Sequence, residues 1–141
     1  MIKVRGYVFS RPFMGERVPQ HVQNLVLRDY CERNRMQYLL SGTEYAMKGC
    51  HLILEQLLDE LSDIEGIVAY SLFQLPEDTE QRKRIYYQMI NSHKVMHFAA
   101  EGLQASTLQD WERIEILWRI RQTLPKCAQV YAWMRDNIKS C

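Results

Sequence analysis

Four short runs of β-forming residues, each separated from the next by an apolar stripe at helical spacing, constrain this chain more than any other feature. The runs cover residues 3–9, 37–40, 66–73 and 95–100. The first intervening stretch starts at Pro19, which suits a first helical turn, and carries Val22, Leu25, Val26 and Tyr30 to about Asn34. The second carries Cys50, Ile53, Leu54, Leu57, Leu58 and Leu61. The third opens on Pro76, Glu77 and Asp78 and buries Ile85, Tyr86, Met89 and Ile90. Residues 66–73 are almost continuously apolar, as a strand covered on both faces should be. Strand–helix alternation with right-handed crossovers predicts an α/β fold with a parallel sheet in the order 2-1-3-4, flanked by helices.

Residues 106–141 break the alternation. Ser106 or Thr107 can cap a helix, with Asp110 completing the cap. Trp111, Ile114 and Trp118 share one face of it, and Leu117, Ile120 and Leu124 a neighbouring one. Pro125 is expected to end it, before a weaker terminal helix through Val130, Met134 and Ile138. One small sheet covers one such face, so the pattern predicts a homodimer through residues 106–124. The chain of 141 residues is expected to form a single domain, 1–141, with 106–141 as its C-terminal helical extension.

Charge and composition exclude some classes. The net charge is +1 and no five like charges run together, so the expectation is no nucleic acid and no anionic membrane surface as partner. No run approaches the ~18 apolar residues of a membrane span, and the first residues read as a strand and not as an export signal. Cys31, Cys50, Cys127 and Cys141 show no paired spacing, which fits a cytoplasmic protein. The glycines form no phosphate-loop or dinucleotide fingerprint. His21, His51, His93 and His97 have no metal-ligand spacing. Neither cofactor nor metal is expected, and His97, within a strand, reads as a core residue.

The candidate site follows from topology. In an open α/β sheet, ligands bind beyond the carboxyl ends of the strands, next to the switch point where the helices change face. Ser10 and Arg11 stand there if residues 3–9 form the central strand. Ser10 is either a nucleophile or a hydroxyl that caps the turn or binds a ligand. Arg11 and Arg17 suit bidentate anion binding, or else are solvated charges, one of them paired with Glu16. Glu44, Glu77 and Glu101 each follow a strand; with Tyr45, Tyr70, Ser71 and Gln74 they would line one crevice. Of the carboxylates, Glu44 and Glu101 are the acid–base candidates, because Glu77 has an ordinary place in a first helical turn.

Two resemblances add to this reading. Gly6-Tyr7 followed by Ser10, the spacing of Gln23, Leu27 and Tyr30, and the stretch from Leu72 to Asp78 resemble the catalytic domain of the serine recombinases, the resolvases and invertases. That resemblance implies a flavodoxin-like, resolvase-like domain with Ser10, or Arg11 by a one-residue offset, at the nucleophile position. It also implies a long dimerising helix after the sheet. Phe73 stands where that family carries an aspartate, and Gln74 and Glu77 stand where it carries phosphate-handling arginines. The longer runs 5–10, 15–21, 43–47 and 69–78 resemble the sporadic carbohydrate cluster family, encoded with surface-polysaccharide biosynthesis. Together the resemblances imply a resolvase-like domain without recombinase chemistry, working in carbohydrate biosynthesis. It would bind a sugar, a sugar phosphate or a nucleotide sugar at the carboxyl edge of the sheet. Two alternatives stand beside it: a partner protein docking on another enzyme of the pathway, and a DNA-binding recombinase relative.

Overall fold

The computed structural model describes residues 2–15, 17–45 and 51–138, with the side chains of residues 124–132 and 136–138 excepted. Its organising strand is β1 (Ile2–Phe9), whose alternation splits the core in two. Val4 and Val8 face α1 (Gln20–Arg33), where they meet Leu27, Tyr30, Cys31 and Val68. Tyr7 and Phe9 face the opposite side with Leu54, Leu57, Met96, Trp111 and Trp118. Gly6 is required between them, since a Cβ there would collide with the Tyr38 ring. The Tyr38 hydroxyl in turn donates to Asn24 of α1 at 2.8 Å.

The remaining elements are β2 (Met36–Glu44), α2 (Leu52–Asp59), β3 (Gly66–Ala69), a 3-10 turn (Leu72–Gln74), α3 (Thr79–Ser92), β4 (Val95–Phe98), β5 (Leu103–Ala105) and α4 (Leu108–Ile138). They make a five-stranded sheet in the order β2-β1-β3-β4-β5. The first four strands are parallel and in the expected order. β5 was not anticipated. It returns antiparallel to β4 through a turn in which Gly102 has φ +66°, a conformation glycine adopts without strain. The chain leaves β1 toward β2 and later crosses back to β3, so the carboxyl ends of β1 and β3 flank the switch point.

Other boundaries shifted for identifiable reasons. β2 runs on through Ser41, Gly42, Thr43 and Glu44, which pair with residues 6–9 of β1. As an edge strand it tolerates polar residues that read as a loop. β3 stops at Ala69, because Ser71 caps the 3-10 turn with its side chain and draws the apolar Leu72 and Phe73 out of the strand. The inward stripe of α1 is Gln23, Leu27, Tyr30 and Cys31, while Leu25 is exposed. Of the expected stripe of α2, Cys50 lies outside the described residues. α4 runs through Pro125 as one helix, Leu108–Ile138, where the proline was expected to end it.

α4 packs firmly on the sheet. Trp111, Ile114 and Trp118 are all but fully buried, and the Trp118 indole N–H donates to the Leu72 carbonyl at 2.9 Å. Leu117 is partly covered by the same core, and Ile120 is exposed. The sheet and α3 thus cover the face of Trp111, Ile114 and Trp118, whereas on the neighbouring face Ile120 is exposed and the side chain of Leu124 lies outside the described residues. Arg82 of α3, with no exposed surface, clamps α4 by donating to both carboxylate oxygens of Glu115 at 3.0 and 2.8 Å. Its guanidinium lies over the Trp118 ring, 4.5 Å from the centroid. Tyr86 donates to the same Glu115 at 3.0 Å.

Candidate functional site

Ser10 and Arg11 leave β1 in different directions. The Ser10 amide and hydroxyl both donate to the Glu44 carbonyl at 2.8 Å, which extends the β1–β2 pairing by one residue and leaves the side chain half-buried. The Arg11 side chain folds back over the Phe9 ring, 4.4 Å from its centroid, and donates to the Tyr45 carbonyl at 3.1 Å. It is 9% exposed. Arg17 is exposed on the same connection, and Tyr45 offers its backbone here while its ring is in solvent.

The carboxylates do not converge. Glu44 is 2% exposed and accepts from the Tyr7 hydroxyl at 3.2 Å and from the Leu54 amide at 3.0 Å. It thus satisfies an orphan donor in the first turn of α2 and favours that helix end electrostatically. Glu101 lies beyond β4, accepting from the Ser71 hydroxyl and the Leu72 amide, both at 2.8 Å. Burial raises its pKa, against the lowering effect of those hydrogen bonds. Glu77 is exposed at the start of α3. The candidates thus divide into Ser10, Arg11, Glu44 and Tyr45 on one side of the switch point, and Tyr70, Ser71, Gln74 and Glu101 on the other.

A residue that carried no functional weight in the sequence joins the two groups. Gln23 is completely buried. Its carbonyl accepts from the Phe9 amide at 3.0 Å, and its amide donates to the carbonyls of Phe9 and Val18 at 2.8 Å. Gln74, equally buried, donates to the Gln23 carbonyl at 2.8 Å and accepts from the Ser71 amide at 3.3 Å. Hydrogen bonds therefore run without a gap from Phe9, through Gln23 and Gln74, to Ser71 and Glu101. The signal for Gln23 was a polar residue one position from the expected apolar stripe of α1.

Below the turn that leaves β1 lies a cavity of about 610 Å³. Phe9, Phe13, Met14, Phe73 and Leu75 form its apolar wall, Arg11 enters it, and Glu77 and Asp78 stand at its rim. Tyr70 supports Phe13 edge-on at 6.1 Å. Arg121 of α4 reaches across, donating to the Met14 carbonyl at 3.5 Å with its guanidinium 5.8 Å from the Phe73 ring centroid. His97 faces α1, on the other side of the sheet from Phe9, and its Nδ1 pairs with the Tyr30 hydroxyl at 2.9 Å. Among the described residues no three His, Cys, Asp or Glu gather as metal ligands, and no helix is long and apolar enough to cross a membrane.

Solved structures share this fold. The N-terminal catalytic domain of TP901-1 integrase superposes with a TM-score of 0.57 at 15% identity, covering 87% of this chain and 98% of that one. A resolvase family site-specific recombinase from Streptococcus pneumoniae superposes with a TM-score of 0.61 at 7% identity, covering 95% and 98%. Comparison with protein-family models gives no match, and neither does comparison with curated proteins. The fold is therefore that of the serine recombinase catalytic domain.

These findings correct the carbohydrate reading. The structures that share the fold are an integrase and a recombinase. Carbohydrate biosynthesis, a phosphorylated or nucleotide-linked sugar as ligand, and the docking role in such a pathway are all set aside. The geometry agrees, because Glu44, Glu101 and Gln74 are engaged in internal hydrogen bonds where sugar hydroxyls were expected to bind. The exclusion of nucleic acid is corrected too. A net charge of +1 averages over the whole surface, whereas phosphate contacts depend on where the cations stand.

Proposed function

We propose that this chain is a DNA-associating domain of serine-recombinase type that holds a phosphodiester backbone at the carboxyl edge of its sheet without cutting it. The observation that carries the proposal is the placement of Ser10 and Arg11 at the end of the central strand, beside the switch point, in a fold it shares with an integrase and a recombinase domain. Arg17 on the same connection and Arg121 reaching in from α4 supply further cations at that edge. Guanidinium groups match phosphate oxygens in geometry as well as charge.

The opposite side of the switch point argues for binding over cleavage. Phosphoryl transfer depends on cations preorganised around the phosphate. Here Gln74 is sealed inside and bonded to Gln23, and Glu77 brings a negative charge to the rim. Ser10 accordingly serves as a hydroxyl of the backbone-binding turn, and residues 1–141 act as one domain. A cytoplasmic location fits this role and keeps Cys31 as a buried thiol, its pKa raised to about 11 by burial.

Fluorescence anisotropy with a labelled duplex, repeated as salt is raised, tests the proposal. With Arg11, Arg17 and Arg121 as the contacts, log K should fall against log[salt] with a slope of about −2 to −3. Arg17→Ala should make that slope shallower by about one. Absence of duplex binding at low salt would refute the proposal. A covalent adduct that disappears in Ser10→Ala would replace holding by strand cleavage.

A further inference from the structure

We propose that the cavity beneath the turn after β1 receives one unstacked nucleobase, an inference that rests on the DNA-facing reading above. Its volume of about 610 Å³ suits a small ligand, within the roughly 300–1,000 Å³ usual for such sites. The wall is aromatic and only partly closed. Phe9 and Phe13 meet edge to face at 5.8 Å and 87°, and Phe73 is braced edge-on by Trp118 at 5.4 Å. Phe13 and Phe73 are half-buried, so neither is sealed into the core. Rigidly supported rings of this kind stack on the flat face of a base, and they do so without regard to sequence.

The polar groups fit the same ligand. The Arg11 guanidinium lies over Phe9 and offers donors to ring nitrogens and carbonyl oxygens. The carboxylates of Glu77 and Asp78 stand at the rim as acceptors for an exocyclic amine. Donor and acceptor thus flank an apolar slot, as the edge of a base requires. A paired base cannot enter, because its edge and faces are occupied within the duplex. The preferred substrate is therefore DNA with an unpaired or displaced nucleotide near the bound phosphates.

Anisotropy with three labelled duplexes of equal length decides the matter: one fully paired, one with a single unpaired adenine, and one with an abasic residue in place of that adenine. The adenine duplex should bind about tenfold more tightly than the abasic one. Phe13→Ala should erase that difference and Phe13→Trp should keep it. Equal affinity of the wild-type protein for the adenine and abasic duplexes, with the paired duplex still bound, would overturn the base pocket and leave the DNA-facing reading intact. A tenfold preference that survives in Phe13→Ala would also overturn the pocket. Failure to bind any of the three would overturn both.

Discussion

The side-chain amide of Gln74 donates to the side-chain carbonyl of Gln23 at 2.8 Å, with both residues completely buried. Gln23 in turn holds both the N–H and the C=O of Phe9, as a neighbouring strand would. The residue before Ser10 is thereby fixed from outside the sheet, and the two ends of the switch point are tied together. A buried polar chain of this kind is stabilising only while every member is satisfied.

Gln23→Ala should therefore be costly. It orphans the Phe9 amide, the carbonyls of Phe9 and Val18 and the Gln74 amide at one stroke. An unsatisfied buried group costs about 1–3 kcal/mol, so a loss of about 3 kcal/mol or more is expected in urea unfolding. A loss below about 1 kcal/mol would show that the chain is not a structural brace.

The Arg82–Glu115 pair gives a prediction with opposite signs in one experiment. Burial favours the neutral form of Glu115, but the hydrogen bonds from Arg82 and Tyr86 and nearby positive charge bring its pKa below the usual carboxylate value. Glu115→Gln leaves the Arg82 charge buried without its counter-ion, which should cost about 3–5 kcal/mol. Replacing both, as Arg82→Met with Glu115→Leu, should recover much of that stability. Urea midpoints of the single and double variants check it, and a double variant worse than the single would contradict it.

His97 supplies a pH dependence. Burial lowers its pKa from 6.5 to about 4. The unfolded chain therefore binds more protons than the folded one between those values, so this contribution is fully present above about pH 6.5 and is lost as pH falls toward 4. The loss amounts to about 2–3 kcal/mol. Urea unfolding from pH 4.5 to 7.5 should show the decline, and His97→Gln should flatten its share of it. An imidazole that titrates near 6.5 in the folded protein, followed by NMR, would contradict the burial argument.

The sheet was legible because Val4, Val8, Tyr7 and Phe9 alternate and the helix stripes between strands are strong. That much fixed the order of the first four strands and the position of Ser10 and Arg11. β5 was hidden because a strand of three residues has too little pattern to read. The inward-facing polar residues were hidden for a different reason. Gln23 and Arg82 occupy core positions of α1 and α3, and hydrophobic periodicity passes over a buried polar group whose partners are distant in sequence. Glu44 and Glu101 were placed correctly at strand ends, yet their carboxylates turn inward to cap α2 and the 3-10 turn. Only side-chain geometry reveals that. Trp118 belonged to an apolar surplus that suggested a partner copy, and the sheet, α3 and Arg82 cover it instead; Trp118→Glu should consequently unfold the chain.

The most direct measurement is an amide chemical-shift map of the protein as a short DNA duplex is added. If the carboxyl edge of the sheet faces DNA, the shifts should concentrate at residues 10–15, at Arg17 and around Arg121, and should fade as salt is raised. Shifts confined to α1, β2 or the amino edge of the sheet, or no shifts at all, would contradict that placement.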